Sequence, residues 1–428
     1  MVLTRALRVR PLPASSRAPD HVSHAASSPE PNPFRLASLY AVVFVEIGIA
    51  MPFMPVWLNA LGLEAGIIGA LLALPIAVKI VATAPLVGLI DRGVGARALL
   101  VAGSLVLAAT YALMPAGAAI GWPVLALLVA LNAAAGAPLV PTIDYLTLAA
   151  VRRSAGLDYA RIRMAGSIAF LAANLAGGAA LGVLGERLAV PLLTTILALV
   201  AAGVCAGVRL ELPAAIVPAT RPARIPLPRL LWLTIAAGAA IQASHAALYA
   251  FASIHWSLHG FSAPWIGALW AIGVLAEIVL FAGIGLCPAA WRTPFRLLGL
   301  GAVAGAARAV GMVFYGDTLA AVLVLQTLHG FSFGATQLGA MAAVSRFAPE
   351  GARGRAQGTL SATNALASAS ATLVSGLAYG QGGGPLAFGL MAPLAVLGLC
   401  LTARAARLAR TERLHTAAFV RQQPDTIA

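Results

Sequence analysis

The chain has 428 residues, of which 60% are hydrophobic and 10% charged, and its mean hydropathy is +0.90. Those values exclude an ordinary water-soluble globule of this size. A net charge of +14 would suit a nucleic-acid binder, but where the charges fall points elsewhere.

Residues 1–33, rich in Pro, Ser, Ala and Arg, read as a disordered cytoplasmic tail. They do not read as a cleavable leader, because the first apolar stretch begins late and is long enough to span. A transmembrane helix needs about 20 mostly apolar residues to cross about 30 Å of hydrocarbon. Such runs occur at 36–60, 67–90, 98–118, 123–149, 161–184, 190–209, 230–256, 264–286, 296–315, 319–345, 356–379 and 386–406. All are expected to be helical, since an open strand edge has no hydrogen-bond partner in lipid and the runs are too long for barrel strands. The predicted class is an all-α integral membrane protein with 12 transmembrane helices and both termini cytoplasmic. It divides into a six-helix bundle at 34–210, a cytoplasmic linker at 211–229, a second six-helix bundle at 230–406 and a tail at 407–428.

Charge placement supports that topology. Apart from Lys79, Arg308 and Arg187, every Lys and Arg falls in a segment this topology makes cytoplasmic, whereas an odd number of spans would scatter them across both sides. Six tryptophans (Trp57, Trp122, Trp232, Trp256, Trp265 and Trp291) lie near predicted helix ends, where amphipathic rings favour the interface. Cys205, Cys287 and Cys400 have neither metal-ligand spacing nor a disulfide pattern, so no metal is expected.

The two bundles echo one another. AAVRRSAGLDYARIRMAGS from Ala149 is matched by AAVSRFAPEGARGRAQGTLS from Ala342, an offset of about 193 residues that carries Arg161 and Arg163 onto Arg353 and Arg355. Parallel repeats of six helices are a transporter architecture. Between the second and third spans, GLIDRGVGAR places Asp91, Arg92 and Arg97 at helix ends. There they would exchange ion pairs as the bundles rock, or serve as a solvated topogenic loop.

Ionisable side chains inside a bilayer cost about 2.5–3.5 kcal/mol at the helix centre, so they face a cavity or a partner. Counting about 1.5 Å per residue, Gln242, His245, Glu277, Arg308, Gln326 and His329 share one depth near the midplane of the seventh to tenth spans. Gln242, His245 and Tyr249 stripe one helix face, and Trp270 lies two turns from Glu277 on its own helix. The stripe interrupts an oily run because its face is expected to look into a central cavity. Glu277 with Arg308 is either structural glue or a coupling pair, and each histidine is either a pathway residue or an interhelical hydrogen-bond partner. Glu46 and the single lysine, Lys79, are central in the first bundle, as a structural ion pair or with Lys79 as an anion-binding group. Asp144 and Arg163, nearer the cytoplasmic ends, are expected to pair as a gate, and Asn132, Asn174 and Asn364 as packing amides. His255 and His259 are expected at the solvated outer end.

QASHAALYAFASIHW followed by GFSAPWIGALWAIGVLAEIVLF resembles the seventh and eighth helices of the phenylpropionate permease family of the major facilitator superfamily. The resemblance continues through PFMPVWL, PLVPTIDYLTL, YARIRMAGSIAF, Arg308 and QTLHGFSFG, covering nearly all of residues 35–400. It extends to lactose permease and other oligosaccharide:proton symporters, which have an acid, an arginine and a histidine where Glu277, Arg308 and His329 stand. The resemblance implies proton coupling and substrate recognition at those positions, and a basic residue at Lys79. Lactose permease has a glutamate one turn after the helix-ten histidine, where this chain has Ser332, so its carboxylate-based coupling does not transfer intact.

The expected protein is a proton-coupled secondary transporter. It works by alternating access and imports a small organic substrate, an aromatic carboxylate by the resemblance. A sugar or nucleoside symporter, an exporter on the same fold, and a non-transporting membrane sensor are the alternatives. No nucleophile triad or phosphate loop argues for an enzyme, and no cofactor is expected. The expected partners are substrate, protons and the lipid bilayer, with no nucleic acid; the expected state is a monomer in a bacterial inner membrane.

Overall fold

The structure, a computed structural model, describes residues 32–154, 156–208 and 225–422. Most of the predicted N-terminal tail and linker, and the end of the C-terminal tail, lie outside them. Every regular element among the described residues is a helix. In chain order these are α1 (Pro33–Ala60), α2 (Ala65–Val87), α3 (Ala96–Ile120), α4 (Trp122–Gly136), α5 (Leu139–Arg153), α6 (Tyr159–Leu184), α7 (Glu186–Gly207) and α8 (Arg229–Ala243). They continue with α9 (Ala246–Leu258), α10 (Ala263–Gly283), α11 (Pro294–Tyr315), α12 (Leu319–His329), α13 (Thr336–Phe347), α14 (Arg353–Gly389) and α15 (Met391–Gln422).

Local chemistry starts two of these helices. Asn32 caps α1, its side chain accepting from Phe34 N at 2.8 Å with Pro33 in the first turn, and Asp158 caps α6 by accepting from Arg161 N at 2.8 Å. Among the described residues, eleven helical stretches are long and apolar enough to cross a membrane. The first ten match the predicted spans, with ends shifted by no more than about four residues. α4 with α5, and α8 with α9, each make one stretch with a break inside it.

The last stretch, Arg353–Thr411, contains 59 residues. Straight, it would extend about 88 Å, roughly three bilayer cores. It is not straight: Gly382 (φ −137°, ψ 19°) and Gly383 (φ 62°, ψ −157°) leave helical geometry, the second in a region that favours glycine, and both α14 and α15 pack along α8.

Large apolar side chains point outward around the whole assembly, among them Val81, Leu127, Val183, Val279 and Phe314. In water such a surface would aggregate, and a multi-pass membrane protein presents it to lipid. Trp122, Trp232, Trp265 and Trp291 are exposed near helix ends as expected. Trp57 and Trp256 are instead fully buried, a correction that follows from packing: Trp57 donates to Arg187 O at 3.2 Å, and Trp256 sits edge-on to Trp270.

α1 packs on α6 and α7, and α3 on α4 and α7, while α8 and α11 form the centre of the later helices with α13, α14 and α15. The two groups meet chiefly where α2 crosses α14 and where α6 crosses α10. Glycines make both crossings. A Cβ on Gly69 would lie 2.7 Å from Gly376 Cα, and one on Gly178 would lie 2.5 Å from Ala263 O. Gly267 rests directly on the carbonyl of Asn174. All three contacts lie toward the end that carries the loops near residues 61–64 and 259–262, so that end is tightly closed.

Because the neighbour of Gly267 is backbone and has no rotamer to change, Gly267→Ala is expected to prise α6 from α10. The expected cost is about 1–3 kcal/mol. Thermal unfolding in detergent measures it, and an unchanged midpoint would refute the close-packed seal.

Candidate functional site

The site begins with two departures from regular helix. Between α8 and α9 the backbone turns at Ser244 and His245, where His245 N bonds Gln242 O at 3.1 Å. Ile241 O takes hydrogen bonds from Ser244 Oγ (2.6 Å) and His245 Nδ1 (3.0 Å), so the side chains of the break satisfy the carbonyl beside it. Between α12 and α13, residues Gly330–Ala335 form a wide π turn, a local geometry found often at functional sites. Two glycines seat that turn against α10: a Cβ on Gly330 would lie 2.5 Å from Ala276 O, and one on Gly334 would lie 3.0 Å from Leu280 Cδ2.

These distortions bring the midplane residues together as their shared depth predicts. Arg308, 3% exposed, donates through Nε to Leu325 O (3.0 Å) and through one terminal nitrogen to Gln326 Oε1 (2.8 Å). Its other terminal nitrogen reaches His329 Nδ1 and Ser332 Oγ, both at 3.1 Å. Gln326 in turn donates to Leu269 O at 2.9 Å. Arginine only donates, so His329 Nδ1 accepts and the network assigns its proton to Nε2, which lies 4.0 Å from Glu277 Oε2. His245 Nδ1 donates to Ile241 O, so its Nε2 accepts from the Ser332 hydroxyl at 2.9 Å. Ser332 thus relays one continuous chain from Arg308 to His245.

Two expectations change here. Glu277 and Arg308 do not pair directly: His329 stands between them, and among the described residues no carboxylate lies within 4.0 Å of Arg308. His245 does not look into the cavity either. It is 3% exposed and locked behind Tyr249, because the helix break turns it toward Ser332. Ser332→Ala is expected to cost about 1–3 kcal/mol, the penalty of leaving a buried donor without its acceptor. Detergent melting would show it, and a wild-type melting point would mean the bridge is not made.

The cavity lies on the other side of that aromatic wall. It has a volume of about 590 Å³ and runs between α1, α2, α3, α4, α5, α8, α9 and α14. That volume suits a small organic molecule. Helical spacing sets its walls: Val43, Glu46, Ile47, Ala50 and Met54 on α1, and Leu72, Pro75, Ile76 and Lys79 on α2. Gln242 and Tyr249 face them from across the molecule, and Gln242 Oε1 has no hydrogen-bond partner. Tyr249 stacks on Trp270 with ring centres 5.8 Å apart, and Trp270 donates to Ser253 Oγ at 2.8 Å. Trp270 therefore backs the wall rather than lining it.

Glu46 and Lys79 share this cavity without pairing. The Glu46 carboxylate accepts from the Tyr111 hydroxyl and is 6% exposed. Lys79 is exposed to the cavity, and among the described residues no carboxylate lies within 4.0 Å of its ammonium. The structural ion pair entertained from the sequence is not formed. Asn132 lines the cavity and donates to Thr110 Oγ1 at 2.8 Å.

The expected Asp144–Arg163 pair is also absent. Asp144 accepts from the hydroxyls of Tyr40 (2.5 Å) and Tyr159 (3.0 Å), which satisfy the carboxylate. Arg163 lies over the rings of Phe44 (4.2 Å) and Tyr40 (5.3 Å), and interacts electrostatically with Glu277 across the α6–α10 crossing. In the loop after α2, Asp91 and Arg92 are exposed and make no ion pair within 4.0 Å among the described residues, while Arg97 donates to Ala206 O and ties α3 to the end of α7. The solvated reading of that loop fits this arrangement. His255, expected at the surface, is buried against Phe388, with only His259 exposed.

Tyr111 and Ser332 were not among the sequence candidates. Depth would have found Tyr111, which lies about fifteen residues into α3 as Glu46 and Lys79 do in α1 and α2. Ser332 entered only as the residue replacing a carboxylate, and nothing in the sequence signals the π turn that aims it.

Comparison with known proteins gives a consistent picture. A family model described as the MFS_1 like family matches residues 34–390. A probable 3-phenylpropionic acid transporter of Escherichia coli (strain K12) is 30% identical over 324 residues, covering 72% of this chain and 80% of its own length. Among solved structures, a point mutant of the nucleoside transporter NupG superposes with a TM-score of 0.73 at 15% identity, over 88% of this chain and 99% of its own. A point mutant of the peptide transporter POT superposes with a TM-score of 0.69 at 14% identity, over 88% and 95%. At those identities the structures speak to the fold alone.

Proposed function

Since the chain belongs to the MFS_1 like family of major facilitator transporters, we propose that it is a proton-coupled importer of a small aromatic carboxylate, working by alternating access in a bacterial inner membrane. The carrying observation is the cavity itself: an apolar chamber holding one exposed ammonium, Lys79, with no carboxylate within 4.0 Å among the described residues. An anion with an apolar body satisfies both features at once. Its carboxylate meets Lys79, its ring lies among the Met, Leu and Ile side chains beside Tyr249, and Gln242 on the facing wall fixes its orientation. The curated name of the 30% identical relative, a probable 3-phenylpropionic acid transporter, supports the same substrate class.

The proposed architecture is two six-helix bundles, 34–210 and 230–406, in 12 spans, with α14 and α15 as the eleventh and twelfth. Both termini are cytoplasmic by the distribution of Arg, and the chain acts as a monomer. The closed end then faces outward and the cavity serves an inward-open state, with rocking at the α2–α14 and α6–α10 crossings exchanging the two. Arg163, held on Phe44 and Tyr40 in this state, and Glu277 beyond it are the groups that would approach as the inner side closes.

Purified protein in proteoliposomes tests the proposal. Initial accumulation of labelled 3-phenylpropionate, taken relative to protein-free vesicles, is expected to rise when the outside is acidified and to collapse with a protonophore. Counterflow is expected with aromatic acids and not with sugars or nucleosides. Uptake indifferent to the pH gradient would refute proton coupling, and exchange of sugars or nucleosides in place of acids would refute the substrate class.

A further inference from the structure

Resting on that reading, we infer that Glu46 is the coupling carboxylate: it takes up one proton for each anion that binds Lys79, so that the loaded and the empty carrier are both electrically neutral. The titratable side chains lining the cavity are Glu46, Lys79, Tyr111 and Tyr249. Around Glu46, α2 presents Lys79, α3 presents Tyr111 as a hydroxyl donor, α4 presents the uncharged Asn132, and α9 presents Tyr249. The nearest acid on α5, Asp144, is held by Tyr40 and Tyr159; α6 meets α1 with uncharged residues beside Gly48 and carries one charge, Arg163, engaged over the rings of Phe44 and Tyr40.

Empty, the chamber holds one ammonium and one carboxylate whose charges sum to zero. A substrate carboxylate adds a negative charge to a chamber walled mostly by apolar side chains, where charges interact more strongly than in water. Glu46 is the one acid among the described residues that line that chamber. A proton on Glu46 restores neutrality, and its Tyr111 partner is a hydroxyl able to donate to the ionised form or accept from the neutral one.

The other polar cluster is built differently. His329 Nδ1 and both nitrogens of His245 are engaged in the Arg308 and Ile241 chain, and neither imidazole lines the cavity. Glu277 stands beyond His329, outside the lining as well. That cluster holds α9, α11 and α12 together, and a substrate anion on Lys79 does not touch it.

Two consequences separate this assignment from coupling elsewhere. Proton uptake on binding makes the dissociation constant for 3-phenylpropionate rise about tenfold per pH unit over the range in which Glu46 is ionised in the empty carrier and protonated in the loaded one, since affinity falls as the required proton becomes scarce. Neutral crossing in both directions makes accumulation follow the pH gradient and ignore an imposed potassium-diffusion potential.

In Glu46→Gln the loaded carrier stays neutral but the empty one carries the Lys79 charge. Gradient-driven accumulation is therefore expected to be lost while counterflow of 3-phenylpropionate persists. The pH slope of binding flattens, and Glu46→Asp restores both. In the unmodified protein, a pH-indicator dye in weak buffer is expected to report about one proton taken up per 3-phenylpropionate bound, as the linkage requires, a readout that does not depend on any variant folding. Proton uptake near zero, or accumulation by Glu46→Gln that still follows the pH gradient, overturns the assignment and leaves the proposed symport standing. Indifference of the unmodified protein to the gradient removes the symport itself.

Discussion

Arg308→Met is expected to be the most damaging single substitution for folding. Four of the guanidinium's hydrogen bonds end on acceptors that stay behind when it is removed: Leu325 O, Gln326 Oε1, His329 Nδ1 and Ser332 Oγ. Each buried acceptor left unpaired costs about 1–3 kcal/mol. Against this stands a relief, because taking an arginine out of a low-dielectric interior recovers part of its desolvation cost, and apolar replacements of whole buried ionic groups are often neutral. The relief wins only when the partners are removed too; here Gln326 Oε1 and His329 Nδ1 take no other hydrogen bond among the described residues, whereas Leu325 O keeps its place in the α12 ladder. A net loss of about 2–4 kcal/mol is expected from the stranded acceptors less the recovered desolvation, seen as low membrane abundance and an early melting transition in detergent. Arg308→Lys should recover part of it, since an ammonium has three donors but not the planar fork that spans Leu325, Gln326 and Ser332. A melting point above wild type in Arg308→Met would show that Arg308 is retained for transport at the expense of the fold.

The same cluster marks how far the sequence could be read. The spans were legible because hydrocarbon demands long apolar runs whatever the neighbours are, and the meeting of His245, Arg308, Gln326 and His329 because equal depth on adjacent helices forces contact. Which partner each residue takes was not legible. Depth fixes height along a helix but not rotation, and rotation here is set by two local irregularities. The turn at Ser244 and His245 swings the imidazole off the cavity, and the π turn at Gly330–Ala335 aims Ser332 between Arg308 and His245. Likewise Asp144 and Arg163 lie at similar heights, yet two tyrosine hydroxyls and an aromatic face are better placed for them than they are for one another. Charge complementarity suggested pairs; the side chains instead found neutral partners, which leaves Glu46 and Lys79 free to respond to a ligand.

Lys79→Ala is expected to do the reverse of Arg308→Met, removing substrate and sparing the fold. The ammonium makes no ion pair within 4.0 Å among the described residues and is exposed to the cavity, so its loss leaves no buried acceptor stranded. Abundance and melting point should change far less than in Arg308→Met, by about 1 kcal/mol or less, because Glu46 loses only a Coulomb partner that lies beyond 4.0 Å. Binding of 3-phenylpropionate should weaken sharply, because a hydrogen bond to a charged group contributes about 1.5–3 kcal/mol, which is roughly 10–150-fold in dissociation constant. The uncharged amide of the same acid supplies the control: if Lys79 reads the carboxylate, the amide binds wild type weakly and Lys79→Ala about equally. Lys79→Arg keeps the charge and should retain most of the preference for the acid, at some cost in fit against Ile76 and Pro75. Equal weakening of acid and amide in Lys79→Ala would mean that Lys79 shapes the chamber rather than reads charge, and the anion would then have to be met from the other wall, where Gln242 and Tyr249 offer dipoles but no cation.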